Sequence, residues 1–417
     1  NDTATTEIYT SLIRRQRQMC IRDRCPVTSY TVIEAFTAWC KDTLYTPEIV
    51  RATAILERSC DLQLLLLFHR LGLTEVLGKP LDGAEIAKSL GFVDSASVTL
   101  DQMLQRLAVR TPVVRVDNGT PRKFVASGAK IDPVATQAEL DTLAQGMAAL
   151  GERYLASLEF LQFGAEKFVH ALKDDPELMD RMLSGREKGL EELWDRATNF
   201  DPLQDLHGAM GAEAITSFFQ GGTILEIGGG TGNGVRHLFP ALEKAGKLSQ
   251  LTKYLFSDIS FLFVLGTKKI IRASWPNLAC DYLYLDLNKP FVDQKVPLES
   301  VDLVYAVNAA HVAKDLLWSL EQCRASLKPG GKVVFAERVR TSQAEMAPRE
   351  LVLNLSIYHR SASERSSYRP FHCYLRPENW REALEKAGFS KVEIWPDMAA
   401  IGEKFPGQYA AVVVATK

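Results

Sequence analysis

The side chains best suited to chemistry in this chain are an imidazole and a carboxylate that follow neighbouring apolar runs. His311 lies in Val307-Asn-Ala-Ala-His-Val-Ala-Lys-Asp-Leu316, just after Val301-Asp-Leu-Val-Tyr305. An imidazole titrates near neutrality, so it can take a proton from a hydroxyl or from an acidic carbon. Glu337 stands 26 residues later, at the end of Val333-Val-Phe-Ala336. A carboxylate there can hold one imidazole tautomer and stabilise the imidazolium, or it can partner Arg338.

A second feature is Gly222-Thr-Ile-Leu-Glu-Ile-Gly-Gly-Gly-Thr-Gly-Asn-Gly234, an apolar strand that ends in an acid and enters a glycine-dense turn. Glycine takes positive φ and carries no Cβ, so Gly228, Gly230 and Gly232 can wrap around a bulky nucleotide-like cofactor, with Glu226 shaping the loop. The G-x-G-x-x-G of dinucleotide-binding turns is missing in every register: from Gly228 the sixth place is Asn233, and from Gly230 it is Val235. That argues against a nicotinamide oxidoreductase. Asp258, two residues after Tyr254-Leu-Phe256, offers two acceptor oxygens in one plane to the two hydroxyls of a ribose, or an N-cap to the next helix. Asp286, in Tyr284-Leu-Asp-Leu287, can meet an adenine amino group while Leu287 faces the ring; an ordinary turn aspartate is the other reading. Asn308 can support the cofactor or an acceptor.

These residues need a scaffold that gathers strand ends. After residue 221 short apolar runs alternate with helical stretches: Ile224–Ile227, Tyr254–Phe256, Tyr282–Leu285, Val301–Tyr305 and Lys332–Ala336, then Val392–Trp395 and Ala410–Val414. Such alternation predicts a doubly wound sheet of seven strands, with ligands beyond its carboxyl edge. Residues 131–220 carry helical stripes, among them Leu140, Leu143, Met147 and Leu150, and are expected to link the domains and roof the site. Between 26 and 130 the order is packed helices, two short helices, and a hairpin whose turn is Asn118-Gly119, which suggests a winged helix. Its second helix offers DNA only Gln102, Gln105 and Arg106, so nucleic acid is not expected as a partner.

Glu226 to Gly232 reads E-x-G-x-G-x-G, which resembles the first motif of class I S-adenosylmethionine methyltransferases. The spacing of His311 and Glu337, with Tyr254-Leu-Phe-Ser-Asp-Ile-Ser260 and Lys328-Pro-Gly-Gly331, resembles the C-methyltransferase domains of polyketide synthases, whose His and Glu form a catalytic dyad. Small-molecule O-methyltransferases also carry an N-terminal winged-helix dimerisation module and a histidine base. Their histidine is commonly followed by Asp and Trp, whereas Val312 and Ala313 follow here. The resemblance implies a Rossmann-like methyltransferase sheet over 221–417, S-adenosylmethionine as cofactor and no metal. It also implies a homodimer acting on an enolisable carbon or a hydroxyl of a small-molecule acceptor. A winged-helix regulator without turnover is the alternative.

Composition agrees with a small-molecule enzyme. The 49 basic and 51 acidic residues of the 417 leave no field that would favour nucleic acid. Seven cysteines without a C-x-x-C pair point to reduced thiols and a cytoplasmic protein. The apolar run Leu62–Phe68 is far too short to span a membrane. Residues 1–25 are expected to be disordered or foreign to the evolved protein, since Met19–Arg24 resembles translated sequencing-adapter sequence. With no visible carrier or ketosynthase segment, a separate enzyme is expected.

Overall fold

Several helices begin in the same way, with an acceptor side chain followed by proline. Thr46, Asp132 and Asp201 cap Pro47–Arg70, Pro133–Leu150 and Pro202–Phe218, each accepting an amide of the first turn while proline fills a position whose N–H needs no partner. The computed structural model describes residues 29–117, 119, 121–340, 346–360, 366–370, 373–405 and 407–417. The readings made for residues 1–25 and for Asn118 lie outside the described residues.

Helices Gly83–Leu90 and Ala96–Arg110 precede the antiparallel strands β1 (Val114–Asp117) and β2 (Lys123–Ala126). The second of these helices packs much of its surface into the protein's own interior. Gln102, Gln105 and Arg106, the side chains that DNA reading would require, are all buried. Arg106 bonds to Asp61 at 2.6 Å, to Glu57 at 2.9 Å and to the Met346 carbonyl at 2.8 Å.

The remaining strands form one sheet: β3 (Gly222–Glu226), β4 (Leu251–Asp258), β5 (Cys280–Tyr284), β6 (Val301–Val307), β7 (Leu327–Arg338), β8 (Ser390–Trp395) and β9 (Ala410–Thr416), in the order β5-β4-β3-β6-β7-β9-β8. The strands β3 to β7 are mutually parallel, and β9 runs antiparallel between β7 and β8. This is the seven-stranded doubly wound sheet expected from the apolar runs. Strand β4 extends further than its apolar stretch, because Ser257 and Asp258 continue the ladder opposite Leu283 and Tyr284. Asp258 therefore ends the strand instead of following it by two residues.

Side chains alternate along the strands between two cores, as a sheet buried on both faces requires. Ile224, Leu303, Tyr305, Val334 and Val412 join one core; Leu225, Val304, Val333, Phe335 and Val413 join the other. The first core continues without interruption into the N-terminal helices, through Phe36, Leu64, Leu104 and Phe168, across both expected boundaries near 130 and 220. No helix among the described residues is long and apolar enough to cross a membrane.

Candidate functional site

The parallel strands deliver Glu226, Asp258, Val307 and Arg338 to one edge of the sheet, where β3 and β6 lie side by side and the chain leaves them in opposite directions around the sheet. The turn after β3 is built around that point. Gly230 has φ 54° and no atom within 4 Å of where a Cβ would sit, so the backbone presents a bare surface to open space. Its N–H donates to Asp258 Oδ2 at 2.9 Å, and Ser260 N–H donates to Asp258 Oδ1 at 2.7 Å. Asp258 thus braces the loop while facing the cavity. Burial pushes its carboxyl up to about 6, against the opposing effect of those amide donors.

Glu226 serves the same turn from beneath. It is fully buried, accepts the Tyr254 hydroxyl at 2.8 Å, and lies so close to Gly234 that any side chain there would collide with its carboxylate. Burial lifts its carboxyl to about 8. Glu226 and Gly232 are not among the residues that line the cavity; Glu226, expected to shape the loop, lies beneath it against Tyr254 and Gly234.

The cavity is open to solvent and spans about 1110 Å³ with the solvent at its mouth included. Gly228, Gly230, Asp258, Leu285, Leu287, Asn308 and His311 all line it. Asp286 does not. Its carboxylate accepts from the backbone and side chain of Asn288 at 2.9 and 3.1 Å, which is the turn reading, while Leu285 and Leu287 supply the apolar wall. Asn308 adopts φ 49° and its Oδ1 accepts Arg338 N–H at 2.7 Å, tying the end of β6 to the end of β7.

His311 sits in a short turn, Ala310–Val312, directly above the end of β7. Its Nδ1 lies 2.6 Å from Glu337 Oε2, and Glu337 Oε1 accepts Ala310 N–H at 2.9 Å. Both residues are buried, and Nε2 of His311 has no partner among the described residues. Arg338, the competing partner for Glu337, turns the other way, toward Glu57 at 3.5 Å and over the rings of Tyr374 and Tyr409. A carboxylate on Nδ1 and an unpaired Nε2, on a residue that lines the cavity, form an arrangement that can accept a proton from a bound molecule.

Sequence reasoning overlooked Arg369. Its buried guanidinium donates to the carbonyls of His311, at 2.9 Å, and of Ala313 and Lys314, gathering the turn that carries the imidazole. It lies 58 residues from His311 in a segment without period or motif, so the sequence carries no signal for it. Arg349 was missed as well, and it lines the cavity. Tyr358, His359 and Tyr374 line it too, and the Tyr374 ring is 4.7 Å from that of His311.

Comparison with known proteins places the geometry in context. A family described as a methyltransferase domain matches residues 225–333. A highly reducing polyketide synthase of Aspergillus nomiae is 32% identical over 171 residues, which is 41% of this chain and 6% of that protein. The polyketide synthase PksM of Bacillus subtilis is 28% identical over 169 residues, 40% of this chain and 4% of its own length. The chain therefore spans a small fraction of the curated relatives it matches. Among solved structures, the CurJ carbon methyltransferase superposes with TM-score 0.73 at 19% identity, covering 93% of this chain and 97% of the other. The C-methyltransferase domain of the citrinin polyketide synthase gives 0.66 at 15% identity, covering 92% and 94%. At such identities the likeness is one of fold.

Proposed function

With a class I S-adenosylmethionine-dependent methyltransferase domain as the premise, we propose that this chain methylates an enolisable carbon or an acidic hydroxyl of a small polyketide-like acceptor, with His311 as general base. The observation that carries the reading is the buried His311–Glu337 pair in the cavity wall, whose outer nitrogen has no partner among the described residues. Carbon is the favoured acceptor atom, in keeping with the carbon methyltransferases that share the fold and with Val312 and Ala313 after the histidine.

The residues present fit the cofactor. Gly230 leaves bare backbone beside open space, Asp258 offers carboxylate oxygens to neighbouring hydroxyls, and Leu285 and Leu287 provide an apolar wall for a base. When bound, S-adenosylmethionine supplies an electrophilic methyl on a sulfonium that is already a good leaving group. The protein's work is then alignment and proton removal. His311 Nε2 takes the proton from the acceptor, Glu337 stabilises the resulting imidazolium through Nδ1–H, and Glu337 Oε1 fixes the turn through Ala310.

The test is methyl transfer from labelled S-adenosylmethionine to a panel of β-ketoacyl thioesters and phenols, with products located by mass spectrometry. Label on the α-carbon of a thioester, abolished in His311→Ala, is the expected result. Transfer to a phenolic oxygen alone would move the acceptor class to hydroxyls. A His311→Ala variant as active as wild type would remove the base.

A further inference from the structure

Arg349 is a half-buried cation in the cavity wall that the mechanism above leaves unused. Its guanidinium lies over the rings of Phe160 at 4.7 Å and Trp194 at 5.2 Å, and donates to Thr198 Oγ1 at 2.9 Å and the Ala197 carbonyl at 3.2 Å. Aromatic faces and neutral oxygens hold it in place without neutralising it. Among the described residues no carboxylate pairs with it: Asp201, the acid that influences it, is committed to the amides of Ser157 at 2.8 Å and Leu203 at 2.9 Å. Burial and the nearby Arg338 both disfavour its charge. A guanidinium in that condition, in the wall of a cavity, suits an anionic ligand.

The position of Arg349 says which anion. Thr198 and Asn199 belong to the turn Arg196–Phe200, and this turn is stitched to the glycine loop: Asn199 Nδ2 donates to Thr231 Oγ1 at 2.8 Å and to the Thr231 carbonyl at 3.1 Å. Asn233 Nδ2 in turn reaches the Thr198 carbonyl at 3.2 Å. Arg349 therefore stands at the glycine-loop end of the cavity. Asp258 marks the ribose, and Leu285 and Leu287 the base, on the side of β4 and β5. On the cofactor reading above, the nucleoside occupies that side, which leaves the loop end, with Thr198 and Arg349, to its 5′ substituent.

We infer that Arg349, with the Thr198 hydroxyl, forms the subsite for the α-carboxylate of the cofactor's amino-acid tail. This rests on the cofactor reading above and deepens it. The planar fork of Arg349 suits a carboxylate, and its stacking on Phe160 and Trp194 fixes the fork before the ligand arrives.

Calorimetric binding tests it without turnover. Three ligands are compared: S-adenosylmethionine, its decarboxylated analogue, and 5′-methylthioadenosine, which lacks the tail. Wild type is expected to prefer the carboxylate-bearing ligand over the decarboxylated one by about ten- to a hundredfold, the range of a lost charged hydrogen bond. In Arg349→Met that preference collapses toward unity, while methylthioadenosine binds as in wild type. Arg349→Lys, which keeps the charge and the stacking stem but loses the fork, keeps only part of the preference and decides the matter if the methionine variant fails to fold. An undiminished preference in either folded variant, or no preference in wild type, overturns the assignment while leaving the cofactor site standing. Folded wild type that binds none of the three overturns the cofactor reading itself, and this inference with it.

Discussion

Burial lifts the Asp258 carboxyl to about 6 even though the amides of Ser260 and Gly230 favour its ionised form. A ribose that donates to this group binds the carboxylate and not the neutral acid, so affinity is full above that value and falls as pH is lowered through it. Binding of S-adenosylmethionine should weaken between pH 7.5 and 5. Asp258→Asn should bind more weakly at pH 7.5 and lose most of that pH dependence, which calorimetry at several pH values would measure; an unchanged profile in the variant would assign the titration elsewhere. For the dyad, Glu337→Gln leaves a neutral amide where the imidazolium needs a charge, beside a turn still held through Ala310. A fall in kcat of about a hundredfold or more, at unchanged cofactor affinity, is expected from losing that support. An equal loss of cofactor binding would make Glu337 a scaffold residue instead.

At the scale of elements, the turn holding His311 depends on three anchors: Glu337 on the Ala310 amide, Asn308 on β7, and Arg369 on three carbonyls. Arg369 positions the base without touching the reacting atoms. Arg369→Met should lower kcat about tenfold to a hundredfold, the scale associated with small misplacements, with cofactor Kd unchanged. Arg369→Lys should recover part of the loss. A variant that lost cofactor binding as steeply as kcat would refute a positioning role.

The same elements explain what the sequence disclosed. The strand interiors were legible because β-branched and aromatic residues alternate faces there, and their carboxyl ends led to Asp258, His311 and Glu337. Strand ends were less so, since Ser257 and Asp258 are polar and yet paired. Asp286 was ambiguous because nothing local distinguishes a turn acceptor from a ligand acceptor; in the structure its carboxylate accepts from Asn288. Arg349 and Arg369 were invisible: each acts through contacts with residues remote in the chain, at positions with no periodic or motif context.

Across the whole molecule, buried titratable groups set how stability follows pH. The direction for each comes from which state binds more protons. His207 and His359 are held neutral by burial, down to about 3, so between there and the ordinary histidine range the unfolded chain binds more protons and stability falls with acidity. Asp201 and Asp258, raised to about 6, act oppositely: between about 4 and 6 the native state binds the extra proton, so stability falls as pH rises. Two groups on each side largely offset one another below pH 6. Glu226 is left without a counterpart. Its native carboxyl, raised to about 8 by burial, keeps its proton well above the unfolded value, so stability continues to decline from pH 6.5 to 8. One proton over that interval amounts to roughly 1 to 2 kcal/mol. The Tm should therefore be lower at pH 8 than at 6.5. Glu226→Gln, which keeps an acceptor for the Tyr254 hydroxyl and cannot ionise, should remove most of the difference. Thermal melts of both proteins at the two pH values check it. An equal fall in the variant would place the alkaline sensitivity in groups other than the acid beneath the glycine loop.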